Sequence, residues 1–290
     1  MSEHKVIFEL DENESKWWKE TLKKERSEYI KKPREYVRNF LSMAPIDIDA
    51  TKRDATKEIF RIRNACWNEY MKDEVNFHTN VVRKLVEERE IPRTVLNQVA
   101  ESRASYTTDD INSTELAGIV GEFSGKIMPY LYALSLSTTN SRRSRAGQTF
   151  EEIIDSILTA RNFPYDSQGK LGTKFYKDND LGKLVDGIIP SASAYIKDRS
   201  HCDILTMKTT LRERWQEVVE EITRTNIPSA YLLTLDQNLT ENSLKTMANH
   251  NITVVACDQV CENLSDMKNI MSFTFLFNKA IPHTLAYWDL

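Results

Sequence analysis

Two short runs in the second half of the chain put charge where a strand should be apolar. KLVDGIIPS (183–191) carries Asp186 among Leu184, Val185, Ile188 and Ile189, and CDILTMKTT (202–210) ends its apolar stretch on Lys208. Strand alternation places Ile204, Thr206 and Lys208 on one face and Leu205 and Met207 on the other. A buried carboxylate without a partner is costly, so Asp186 requires a counter-charge or a metal. Lys208, at a strand end, can simply surface into solvent. Paired with an acid one strand earlier, it can instead support metal-assisted hydrolysis of a phosphodiester.

That arrangement ordinarily needs a second acid two residues before the lysine. Thr206 stands there, and threonine cannot replace a carboxylate ligand. Glu221, thirteen residues after Lys208 in KTTLRERWQEVVEE (208–221), is the available substitute. It falls on a helix beginning near Leu211, whose Leu211, Trp215, Val218, Val219 and Ile222 recur at helical spacing and should pack on a sheet. Such packing would fix where Glu221 points. A run this charged can equally be the wet face of an ordinary helix.

The set Asp186, Thr206-Met207-Lys208, Arg212-Glu213-Arg214 and Glu221 resembles the active site of the PD-(D/E)XK type II restriction endonucleases that read CC:GG sequences. In that family the second acid is displaced from the strand to the following helix, and a small hydroxyl residue takes its old place. The R-(D/E)-R element of the family matches Arg212-Glu213-Arg214. SRAGQTFEEII (144–154) is similar to the helix that contributes a further acid, with Glu151 at the matching position. Val185 departs from the pattern, standing where a proline often precedes the aspartate.

The resemblance implies an α/β fold, a mixed sheet flanked by helices, and Mg²⁺-dependent, sequence-specific cleavage of double-stranded DNA leaving 5′-phosphate and 3′-hydroxyl ends. Asp186 and Glu221 would be metal ligands, Glu151 an outer or second-metal ligand, and Lys208 the group holding the attacking water. Hard carboxylate oxygens, one or two per ion, suit Mg²⁺. Arg212 and Arg214 present planar forks matched to guanine O6 and N7, and Glu213 can accept from cytosine N4. A homodimer, or a higher oligomer, would read the two halves of a palindrome.

Arg142, Arg143 and Arg145 read as a polar loop before a helix, a place for backbone phosphate contacts or for solvated charge. Arg63 and Trp67, at i and i+4, resemble the pair with which some relatives stack a flipped central base; ordinary packing explains Trp67 as well. The overall likeness favours a contiguous CCGG core such as W/CCGGW over CCNGG or CCWGG. Two alternatives stand beside this reading: a structure-specific repair or junction-resolving nuclease, and a non-catalytic DNA-binding protein on the same fold. The first gives no reason for an RER reader, and the second need not keep Asp186, Lys208 and Glu221 together.

The elements that must position these groups divide the chain. Segments 14–43 and 54–90 are charged with apolar residues at helical intervals, broken by Pro33 and stopped by Pro92, so residues 1–110 are expected to be a helical domain. Residues 105–113 (SYTTDDINS) read as a hinge or cap. A helix is expected over 115–134, a polar stretch over 137–147, then a helix. Short β-rich runs follow, KLVDGIIPS, CDILTMKTT, AYLLTLD, ITVVACD and SFTFLFN, so 111–290 is expected to be the catalytic domain.

Eight glycines, with neither G-x-x-x-x-G-K-[ST] nor G-x-G-x-x-G, argue against a glycine-rich phosphate loop. A net charge of −4 is unusual for a nucleic-acid binder and requires any basic surface to be local. The charged N-terminus and the lack of a long apolar run point away from a secretory signal or membrane contact. Four cysteines with no CxxC pair suit reduced thiols in a prokaryotic cytoplasm.

Overall fold

The computed structural model describes residues 9–101, 113–179, 181, 185–211, 214–225 and 227–290. Two compact units are interleaved along the chain instead of dividing once near residue 110: one comprises Met1–Lys32 with Asn68–Ser144, the other Pro33–Trp67 with Arg145–Leu290. The helices are α1 (Glu12–Tyr29), α2 (Pro33–Met43), α3 (Ile48–Arg53), α4 (Ala55–Glu88), α5 (Glu90–Glu101), α6 (Ser113–Lys126), α7 (Met128–Ala160), α8 (Gln168–Asp178), α9 (Ala192–Lys197), α10 (Arg214–Thr225), α11 (Glu241–Ala248), α12 (Asp258–Asn263), α13 (Phe273–Phe275) and α14 (Ile281–Tyr287). The chain passes between the units at Lys32–Pro33, within α4 and within α7.

The first unit is helical. Trp18, only 1% exposed, donates its Nε1–H to the Tyr130 carbonyl at 3.0 Å, and the two rings meet edge to face. Phe77, Val81 and Leu85 of α4 are fully buried at helical spacing. Pro33, the first residue of the second unit, opens α2, where its missing N–H costs nothing. Pro92 lies in the first turn of α5, so α4 ends just before it, as the ring requires. The hinge expected over 105–113 lies, apart from Ser113, outside the described residues.

The polar stretch 137–147 is not a loop but the middle of α7. It contains no proline, and Thr138 and Arg142 find partners on α4 that compensate for weak intrinsic helix preference.

The second unit is built on a mixed sheet in sequential order: β1 (Asp166–Ser167), β2 (Gly187–Ile189), β3 (Asp203–Lys208), β4 (Ala230–Thr234), β5 (Ile252–Ala256) and β6 (Ile270–Ser272). β1, β2 and β3 pair antiparallel, while β3 to β6 are parallel. Each parallel step needs a crossover, supplied in turn by α10, α11 and α12. The buried runs of β4 and β5, AYLLT and ITVVA, are the near-continuous apolar stretches expected of strands covered on both faces.

The C-terminal half of α7 joins this unit's core, where the Phe150 ring meets Phe273 edge to face. Phe150, Ile153, Ile154, Ile157 and Leu158 are all buried, each worth about 2 kcal/mol of apolar burial. SFTFLFN, expected as a strand, is instead mostly helical: β6 ends at Ser272, whose hydroxyl accepts from Phe275 N, and α13 and a π-helical turn (Leu276–Ala280) follow. Short apolar runs of this kind fit either period, and here a cap decides.

Candidate active site

Asp186 immediately precedes β2, and because β2 and β3 are antiparallel, the start of one lies beside the end of the other. Gly187 pairs with Leu205, and continuing that register by one residue sets Asp186 opposite Thr206. The Asp186 N–H donates to the Leu205 carbonyl at 2.8 Å, and its Oδ2 accepts from Met207 N at 2.6 Å. The carboxylate is thereby held against the last turn of pleat before Lys208. Parallel strands β3, β4 and β5 all direct their C-terminal ends to this edge, where open α/β sheets bind ligands.

Burial dominates the acid's electrostatics. Asp186 keeps a window to solvent, yet protein packs densely enough around it to push its pKa up to about 7. Lys208 pulls in the opposite direction, and Glu151 adds repulsion. Glu151, on α7 next to buried Phe150, is likewise raised by burial and partly relieved by Lys208. Three groups that the sequence separates by 57 positions therefore share one electrostatic neighbourhood, two acids facing one lysine.

Glu221 sits in the third turn of α10. Its Oε1 accepts from Arg224 Nη2 at 2.7 Å, with the carboxylate mostly covered and the arginine exposed. Val218, fully buried, and Ile222 and Leu211, nearly so, hold the helix to the unit's core. Among the described residues no three carboxylate, imidazole or thiol groups converge as a ready-made metal cluster, so Glu221 does not complete a trio with Asp186 and Glu151.

A donor set of two acids nonetheless fits a hard divalent cation that keeps most of its waters. The elevated Asp186 supports the fit, since burial of its carboxylate outweighs the pull of Lys208 and a cation would supply further counter-charge. Thr206, 2% exposed, leaves its hydroxyl oxygen without a hydrogen-bond partner among the described residues.

Arg212 and Glu213 lie outside the described residues, and Arg214 opens α10. Just before them the buried N–H of Leu211 donates to Asp236 Oδ2 at 2.7 Å. Asp236, the last residue of AYLLTLD, carries no motif that marks it in the sequence. The available signal was an acid directly after a parallel strand, at the end of the sheet where sites form.

Arg142 does not stand in a loop. It grips the buried Glu74 carboxylate through Nε, at 3.0 Å to each oxygen, and through Nη2. Arg143, one residue on, is exposed, and Arg145 is half-buried. Arg63 and Trp67 lie exposed on one face of α4, Trp67 at 42%, so its indole is not a core residue. The Arg63 guanidinium rests over the Phe60 ring, 5.5 Å from its centre.

Comparison with known proteins agrees with this architecture. Residues 116–276, more than half the chain, match the family model described as EcoRII C terminal. Type II restriction enzyme SsoII of Shigella sonnei is 34% identical over 197 residues, covering 68% of this chain and 58% of that enzyme. Metal-depleted Ecl18kI in complex with uncleaved, modified DNA superposes with a TM-score of 0.76 at 27% identity, over 94% of this chain and 85% of that one. The PspGI–substrate DNA complex shares the fold, with a TM-score of 0.59 at 18% identity, over 89% and 94% of the two chains. The mixed sheet is thus the restriction-endonuclease core, and the chain belongs to the EcoRII C-terminal family.

Proposed function

We propose that the protein is a type II restriction endonuclease that cuts double-stranded DNA, with Mg²⁺ as cofactor, at a palindrome with a CC:GG core. The observation that carries this reading is Asp186, fastened to the end of β3 and opposed by Lys208 and Glu151. It is joined by family membership and by the likeness to SsoII and Ecl18kI. Asp186 and Glu151 are the residues to hold the cation, and Glu221 from α10, which does not complete a trio with them among the described residues, is assigned as a further ligand on the family resemblance. When bound, the cation would neutralise charge on the phosphate and acidify a water.

Lys208 holds and orients the attacking water and stabilises negative charge developing on the phosphate. The products are 5′-phosphate and 3′-hydroxyl ends. Arg212, Glu213 and Arg214 read two neighbouring G·C pairs from the major groove, and two copies of the chain read the palindrome. Arg143 and Arg145 are assigned to the DNA backbone. Arg142, bound to Glu74, serves first as an internal counter-ion.

The contiguous CCGG core favoured on sequence yields to an interrupted CCNGG core. SsoII, Ecl18kI and the EcoRII C-terminal family are the relatives matched, and Trp67, 42% exposed beside Arg63 on α4, stands on the surface where a flipped base could stack.

Digestion of a sequenced plasmid with Mg²⁺, followed by end mapping, tests the proposal. Discrete fragments with ends at CC:GG sites are expected. A smear, or cleavage only at junctions, would sink it in favour of the structure-specific alternative, and binding with no cleavage would favour the non-catalytic one.

A further inference from the structure

Lys208 ends β3 and α10 begins six residues later, so the placing of Leu211 between them bears on how the groups proposed for chemistry stand to those proposed for reading bases. Beyond Lys208 the ladder to β4 stops, its last pair being Lys208 with Thr234. The N–H of Leu211, 2% exposed, therefore has no strand partner and must be satisfied otherwise. Asp236, 8% exposed and two residues past Thr234, does this with Oδ2 at 2.7 Å. Its Oδ1 accepts from Asn238 N at 2.9 Å, and its own N–H donates to the hydroxyl of fully buried Thr234 at 3.1 Å.

Asp236 is thus tied to the end of β4 through its N–H and, by a charge-assisted bond to its carboxylate in a buried setting, to the residue directly before Arg212. We infer that Asp236 is a positioning residue that fixes Leu211, and through it the start of α10, relative to Lys208, linking recognition of the site to cleavage of it. This rests on the assignments under Proposed function. Asp236 would touch neither base nor phosphate. Its effect is transmitted through Leu211, whose displacement would shift the start of α10 and, along it, Glu221. Small displacements of positioning groups are known to cost large factors in rate.

The test uses the full chain with the site mapped on the plasmid. D236A and D236N are compared with wild type by thermal melting, by Ca²⁺-supported binding to a duplex bearing that site and to one with a single G·C pair replaced, and by single-turnover cleavage with enzyme in excess. In D236A the preference for the cognate duplex is expected to fall by about tenfold or more, with affinity for the altered duplex unchanged. The single-turnover rate should fall as well. D236N, which keeps one acceptor oxygen, should lie between.

V254A, at a fully buried position in β5, serves as the control for lost stability alone and should keep its discrimination. Discrimination and rate in D236A equal to wild type at temperatures where it is folded, or losses matched by V254A, would overturn the inference. Should D236A not fold, the same readings on D236N decide, and wild-type discrimination there overturns it. R212A measured in parallel separates the premise from the inference: discrimination retained in R212A defeats the reader assignment itself, whatever Asp236 does.

Discussion

Asp186 carries its proton to an unusual pH for an aspartate, because burial outweighs the pull of Lys208 and the Met207 N–H. A cation can bind only the ionised form, so at sub-saturating Mg²⁺ cleavage should climb about tenfold per pH unit below 7 and level off above it. A rate profile flat from pH 5.5 to 8 would contradict this. The stability consequence runs the other way. The native state binds more protons than the unfolded chain between the two pKa values, so without metal the acid weakens the fold as pH rises from about 4 towards 7. D186N should then melt higher than wild type at pH 8 in chelator, while cutting nothing.

Glu74 shows the opposite balance. Burial pushes it up, but the Arg142 guanidinium and the Tyr70 hydroxyl together hold it below the usual carboxylate range. R142A leaves that charge buried and uncompensated, and should cost about 3–5 kcal/mol in denaturant unfolding. E74Q combined with R142A should recover part of it. A variant as stable as wild type and merely weaker on DNA would return Arg142 to the phosphate role read from its sequence.

Among the elements, SFTFLFN is where local pattern and structure part. As a strand, Phe273, Phe275 and Phe277 would share one face. In the observed helical turn Phe273, Leu276 and Phe277 are fully buried, whereas Phe275 is 52% exposed. F273A should therefore cost about 3–5 kcal/mol and F275A no more than about 0.5. Equal losses in chemical denaturation would indicate the strand. Of the other runs, AYLLTLD and ITVVACD were legible because their β-branched and aliphatic clusters were bounded by turn residues and too short for helices. CDILTMKTT was legible for the same reason. The interior of α7 was not, since Ser, Thr, Asn and Arg signal a loop locally, and the contacts of Thr138 and Arg142 with α4 come from residues 60 to 68 positions away.

At the scale of the molecule, an acidic chain proposed to bind DNA must concentrate its basic surface locally, and a palindromic target calls for two copies. A mixed dimer of one wild-type and one K208A chain should bind in Ca²⁺ like the wild type and nick one strand of each site under Mg²⁺. Double-strand breaks at the wild-type rate would show that one copy cuts both strands. The division into units belongs to this scale too. A cut near residue 110 follows from composition, which changes once along the chain, but compactness follows contacts. Residues 33–67 fold with the sheet unit through bonds such as Thr56 to Asp258, 202 positions apart.

What the sequence determined by itself was chemical identity and local period: an acid before one apolar strand, a lysine ending the next, and an arginine-rich helix start with Glu221 on its flank. Those properties depend on neighbours within a few residues, and one strand or helix turn suffices to express them. Which groups meet was decided only by tertiary structure. Antiparallel pairing of β2 with β3 brings Asp186 to Lys208, α7 carries Glu151 to them from 35 residues before the aspartate, and Asp236 crosses from β4 to hold Leu211. Each of these meetings depends on the register between strands or the packing of a distant helix, and no local pattern encodes either.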